Sequence, residues 1–284
     1  MPRPRTTNNY MKLPQLLRIL KEEPLLITPG AHASIVKLFE QHATLPRAEF
    51  VALREGVDFC GENVELPQAE VIDGIMHIPI SGPIGQGLGA FEKGAGAVDV
   101  DDISDELDQA AEDSSVRAVM FDIDSPGGMV SGTPELAEKI AAFQKKTYAF
   151  SKGQIASAAY WIAASCDEIY ATATADIGSI GVYIPWADVT GYYEKMGVSV
   201  ELFKSGKYKG MGYPGTSLTK DQSKFLQARV DSIAQDFYSH VRQMRGNVAD
   251  ETMQGQTFSG RDAYKLNLVD ELVGSKEAAI EQVS

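Results

Sequence analysis

Residues 116–128 read Val-Arg-Ala-Val-Met-Phe-Asp-Ile-Asp-Ser-Pro-Gly-Gly. Val116 to Ile123 forms, Arg117 and Asp122 excepted, a short apolar run that ends at a turn signal. That is the pattern of a strand buried on both faces. Such strands belong to parallel sheets, whose crossover helices cover the two sides.

The same grammar extends outward from this stretch. Upstream, Ile72 to Ile80 alternates apolar residues and stops at Ser81-Gly82-Pro83, which predicts a strand and a turn. Gly85 to Gly96 is glycine-rich and reads as a mobile loop; without a following Lys-Ser pair it is a weak phosphate-loop candidate. Asp101 to Glu112 has the spacing of an acidic amphipathic helix. Downstream, Thr133 to Gln144 is a helix with Gly132 or Thr133 near its cap and Pro134 in its first turn. Short strands are expected at Thr147–Phe150, Glu168–Ala171, Val182–Ile184 and Val198–Phe203. Helices are expected from Ser157, over Val189–Met196, from Leu218 toward Arg245, and over Gly260–Leu266, with an edge strand at Val269–Val273. The alternation predicts an α/β fold with helices packed on a largely parallel sheet.

Residues 1–66 differ. Leu13 to Lys21 and Ala31 to Gln41 have helical spacing, and Pro24, Pro29 and Pro46 punctuate them. The expected division is a helical N-terminal segment and linker over 1–66 and one catalytic domain over 67–284.

The chain has 284 residues, 44% of them hydrophobic, which can bury a sizeable core. Its formal net charge of −13 disfavours nonspecific binding to nucleic acid or anionic membrane. No apolar run approaches the ~18 residues of a membrane span, and no secretory leader pattern is evident, so a cytoplasmic location is expected. Two cysteines, Cys60 and Cys166, make no disulfide framework, and Cys166 reads as a buried thiol. The four histidines lack metal-ligand spacing; neither a metal nor a cofactor is expected.

Three segments carry chemistry. The Gly127 and Gly128 amides, after the buried strand, can receive an oxyanion, and each such donor contributes roughly 3–4 kcal/mol to a transition state. The alternative is an ordinary strand-to-helix turn. Ser157, in Ile155-Ala156-Ser157-Ala158-Ala159-Tyr160-Trp161, stands at a turn-to-helix junction. It is a nucleophile candidate or a plain N-cap. Lys209, in Lys204-Ser205-Gly206-Lys207-Tyr208-Lys209-Gly210, can act as base only where its surroundings favour the neutral amine; otherwise it is a solvated charge. Ser179, in Gly178-Ser179-Ile180-Gly181, can aim a lysine amine or simply turn the chain.

In order, Ser-Pro-Gly-Gly, Ala-Ser-Ala-Ala-Tyr-Trp-Ile-Ala, Gly-Ser-Ile-Gly-Val and Ser-Gly-Lys-Tyr-Lys resemble the signal peptide peptidase A family of serine peptidases, which includes phage head-maturation proteases. The match runs from about Ile72 to Val273. The resemblance implies a ClpP/crotonase-like fold of repeated β-β-α units. It implies Ser157 as nucleophile, Lys209 as general base, Ser179 supporting the lysine, and Gly127, Gly128 and the Ala158 amide at the oxyanion. It also implies a peptide or protein substrate and a homo-oligomer in which the lysine can come from the neighbouring subunit. Pro24 to His42 resembles the N-terminal segment of phage-type members; a phage origin implies a virion or prohead association, and a free-standing bacterial or prophage-derived peptidase stays open beside it. The membrane helix of other members and the C-terminal scaffold extension of phage proteases are not expected in this chain. Two other functions stay open: an acyl-CoA hydratase or isomerase on the same fold, and a non-catalytic capsid-assembly scaffold.

Overall fold

The computed structural model describes residues 23–42 and 68–283. The helix expected at Leu13–Lys21, Cys60, and the linker beyond His42 lie outside them.

In chain order, β1 (Leu25–Ile27) and α1 (Pro29–His42) come first, then β2 (Glu70–Ile72), β3 (Ile75–Ser81) and β4 (Ile84–Gly85). Next come α2 (Ala90–Gly94), β5 (Val98–Asp99), α3 (Val100–Glu112), β6 (Ala118–Asp124), β7 (Gly127–Met129) and α4 (Thr133–Ala141). They are followed by β8 (Lys146–Ser151), β9 (Gln154–Ala156), α5 (Ala158–Ala164), β10 (Glu168–Ala171) and β11 (Asp176–Gly178). The remainder is α6 (Thr190–Lys195), α7 (Lys220–Arg245), β12 (Thr257–Ser259), α8 (Gly260–Lys265), β13 (Glu271–Leu272) and α9 (Lys276–Val283).

The main sheet has the order β13-β10-β8-β6-β3-β2, parallel except for β2. β3, β6, β8 and β10 each run into a short second strand that leaves this sheet. β4 and β7 join β1 and β5 in one small sheet, while β9 and β11 join β12 in another. The chain therefore repeats a β-β-α unit, seen most plainly in β6-β7-α4 and β8-β9-α5, and the α/β architecture agrees with the sequence reading.

Alternation along β6 explains the layers. Val119, Phe121 and Ile123 face a large core shared with Leu107 of α3, Ile140 of α4 and Ile162 of α5. Ala118 and Met120 face the opposite side, where Ala279 and Val283 of α9 cover them. A strand with helices on both faces carries apolar residues at nearly every position, as residues 116–123 do. Trp161 of α5 stacks on Phe237 of α7 with ring centroids 4.5 Å apart, which docks the long helix against the core.

Four expectations need correction. Ile72–Ile80 is not one strand: Asp73 and Gly74 both take positive φ, and β2 folds back antiparallel on β3. The glycine-rich stretch 85–96 is not a featureless loop, since it holds α2; Asp99 caps α3 and also accepts the Gly87 and Leu88 amides. Val182–Ile184 forms no strand, only a bridge between Tyr183 and Leu25. Val198–Phe203 has strand-like composition but pairs with nothing within the described residues.

Candidate active site

The β8-β9-α5 unit presents Ser157 at the junction where β9 ends and α5 begins. Ser157 has φ 57 and ψ −114, a conformation disfavoured for any residue with a Cβ. It stands at the N-cap position, yet its side chain makes no capping hydrogen bond. A capping serine has extended backbone and gives its oxygen to the helix amides. Ser157 does neither, so the N-cap reading fails. Its backbone is held by Ser157 N–H donating to the Gly178 carbonyl at 2.8 Å and its own carbonyl accepting from Trp161 N–H at 3.0 Å. The residue is 1% exposed.

The parallel register of β9 and β11 sets Ala156 opposite Gly178, so Ser157 and Ser179 follow the ends of neighbouring strands. Ser179 also has positive φ, is buried, and donates its N–H to the Gln256 carbonyl at 2.8 Å. In open α/β sheets, sites form beyond the carboxyl ends of parallel strands, where these two serines lie.

Gly127 lies against the same junction. A Cβ there would collide with the Leu26 carbonyl and lie 2.8 Å from Ala156 O and 2.9 Å from Ala158 N. With φ +93 the position requires glycine twice over. The Ala158 N–H is the first of α5 and has no acceptor within the helix, so it is an unclaimed donor beside Gly127. The Gly127 N–H donates to Ser125 Oγ at 3.2 Å, a long bond that a developing oxyanion can replace. Ser125 Oγ in turn donates to the Gly82 carbonyl at 2.6 Å, and the Ser125 backbone pairs with Gln154 and Ala156. The Ser-Pro-Gly-Gly motif alone assigns Ser125 no task; in the structure it is the residue that ties the Gly127 turn to β9. Gly128 is glycine because Ile84 O occupies the place of its Cβ.

Lys209 is not joined to this cluster within one chain. It sits in a turn at the surface, exposed, with no hydrogen bond or ion pair among the described residues. The stretch of chain that carries it is unusual in another way. α6 buries no residue, and Tyr192, Met196, Val198, Phe203, Tyr208 and Tyr213 are all exposed, Phe203 to 90%. Cys166 is buried, as its sequence reading has it, and burial pushes its thiol well above the usual range. No helix among the described residues is long and apolar enough to cross a membrane.

The model of peptidase family S49 matches residues 139–283, and that of the NfeD1b N-terminal domain matches residues 75–185. A putative protease of Methanocaldococcus jannaschii is 35% identical over 62% of this chain and 58% of its own. Capsid assembly protease C of Escherichia phage lambda is 32% identical over 74% of this chain and 48% of its own. A putative signal peptide peptidase of Enterococcus faecium is 33% identical over 61% and 52%. The chain thus spans about half the length of the curated relatives it matches. Among solved structures, a Listeria monocytogenes ClpP1 mutant aligns with a TM-score of 0.46 at 13% identity, covering 71% of this chain and 93% of the other.

Proposed function

The chain belongs to peptidase family S49, and from that we propose a serine endopeptidase that works through an acyl-enzyme on Ser157. The observation that carries the reading is the conformation of Ser157: buried, backbone-strained, and released from capping at a helix N-terminus, beside the Ala158 N–H and Gly127. Strain held in place by surrounding hydrogen bonds is a property of sites where a side chain must be aimed.

In this reading Lys209 takes the proton of Ser157 Oγ as the oxygen attacks the scissile carbonyl. The tetrahedral oxyanion rests on the amides of Ala158 and the Gly127-Gly128 turn. Lys209 then returns the proton to the leaving amine, and water hydrolyses the ester. Ser179 accepts from the lysine amine and aims it. Because Lys209 is exposed in a single chain, the amine is supplied to Ser157 across a subunit boundary. The exposed apolar residues of the same stretch of chain, 192–213, support that: apolar side chains exposed in this number fit an interface between copies. The substrate is a peptide or protein. The capsid protease relative favours a prohead setting for it.

The test is active-site labelling with a fluorophosphonate, read by mass spectrometry. Modification of Ser157 in the native chain, together with loss of peptide cleavage in Ser157→Ala at unchanged circular dichroism, is expected. Peptide cleavage that survives in Ser157→Ala would remove the reading.

A further inference from the structure

β1 is bonded along both edges. On one side it pairs antiparallel with β7, with Leu25 opposite Met129, Leu26 opposite Gly128 and Ile27 opposite Gly127. On the other, Leu25 N–H donates to Tyr183 O at 2.9 Å, and Tyr183 N–H donates to Leu25 O at 3.2 Å. Both edges belong to the site. β7 begins at the oxyanion glycine, and Tyr183 follows Ser179 by four residues in the chain. Without β1, the facing edges of β7 and Tyr183 form a slot with free backbone donors and acceptors. That is how proteins take up an extended peptide as an added strand.

The direction and position of β1 are those of a substrate. It runs toward the site, so that Ile27 lies opposite Gly127 and Thr28 N–H donates to Pro126 O at 3.0 Å. The Leu26 carbonyl occupies the space next to the Gly127 Cα, with the Ala158 amide close on the same side. Leu25, Leu26 and Ile27 are all buried. Pro29 then opens α1 and turns the chain away, and His32 from that helix packs on Tyr183 at 5.8 Å between centroids. The exposed ion pair between Glu23 and Arg229 of α7, at 3.1 Å, is a weak tether at the other end.

We propose that the slot between β7 and Tyr183 is the peptide-binding groove, and that the chain's own Leu25–Thr28 fills it as a competitive self-ligand. It must leave before an extended apolar peptide can bind. This rests on the peptidase reading of Ser157, and the experiment keeps the two apart. The full chain is prepared as Ser157→Ala with and without Leu26→Asp, which places a charge where β1 is fully buried and expels it. A fluorescein-labelled peptide, Glu-Pro-Leu-Leu-Ile-Thr-Pro-Gly (the sequence of residues 23–30), is titrated and followed by fluorescence polarisation, which needs no catalysis. At least tenfold tighter binding to the Leu26→Asp form is expected. In chains with Ser157 intact, Leu26→Asp is expected to speed fluorophosphonate labelling severalfold, and the peptide to slow it again. A folded Leu26→Asp chain that binds the peptide no better than its parent overturns the self-ligand. Should that variant fail to fold, Leu26→Ala is read the same way, and equal peptide binding by it and its parent is equally decisive. Peptide binding in the groove with no labelling of Ser157 in any form would instead refute the peptidase reading and leave the self-ligand standing.

Discussion

The proposed oxyanion segment is fixed by one residue more than by any other. Gly127 combines positive φ with three close backbone neighbours, Leu26 O, Ala156 O and Ala158 N. A methyl group there forces the turn away from Ala158 and away from β1. Gly127→Ala is expected to lower kcat at least a hundredfold by displacing the donors, and to destabilise the fold by about 1–3 kcal/mol or more from the strained conformation. Peptide kinetics and urea unfolding of the same preparation check both; wild-type kcat would contradict the placement. His240 bears on pH. It is half-buried, hydrogen-bonded to Ser165 at 2.9 Å and close to Trp161, and desolvation holds its imidazole below the usual range. Because the folded state resists the proton that the unfolded state accepts, stability is full above about pH 6.5 and falls as pH drops below it. Thermal melts at pH 7.5 and 5.0 are expected to show a smaller loss in His240→Gln than in the native chain. At this scale the sequence is legible where chemistry is local: Gly127, Ser157 and Ser179 each lie in a short motif, Gly127 packs beside Ala156 and Ala158, and Ser157 and Ser179 follow neighbouring strand ends. Leu25–Ile27 is not legible, because its partners lie about a hundred and more residues away and three apolar residues announce no pairing.

At the scale of elements, the sequence reading succeeds for α3, β6, α4, β8, α5, β10 and α7, where burial on one or two faces imposes a period. It fails where tertiary pairing decides. Val182–Ile184 and Val198–Phe203 have the composition of strands, but strand formation needs a partner, and only Tyr183 finds one, in β1. The Asp73-Gly74 turn carries an Asp-Gly signal, but the apolar pattern continues on both sides of it and masks the break. α7 shows how a long polar helix is held: Thr219 and Gln222 form a capping box at its start, and Ala234, Phe237 and Val241 supply the buried contacts. The Phe237 ring lies flat on Trp161, one turn into the helix that begins after Ser157. Phe237→Ala is expected to destabilise the chain by roughly 3–5 kcal/mol. Because α5 loses its support, fluorophosphonate labelling of Ser157 should also slow. Unfolding curves and labelling rates measured below the transition separate the two effects, and an unchanged midpoint would show that α7 is not anchored through this stack.

At the scale of the whole molecule, Ser157 and Lys209 pose a single problem. The proposed nucleophile is buried and held in a strained conformation, while the proposed base is exposed and unpaired among the described residues, in a stretch of chain that also exposes Tyr192, Met196, Phe203 and Tyr213. In the proposed arrangement, a closed ring of copies would bury this surface and bring each lysine to the next serine. This division of the site predicts complementation. Ser157→Ala and Lys209→Ala are each expected to be inactive alone. When the two are unfolded together and refolded as a mixture, a junction is competent if the serine comes from one parent and the lysine from the other. With random mixing of equal amounts, that arises at about a quarter of the junctions, so roughly a quarter of native activity should return. A dyad closed within one chain gives no recovery at any ratio, because every chain then lacks one of its two groups. Size-exclusion chromatography with light scattering on the same mixture shows whether assembly occurred. An assembled but inactive mixture therefore counts against sharing of the site, and an unassembled one against the apolar surface around Lys209 as the contact.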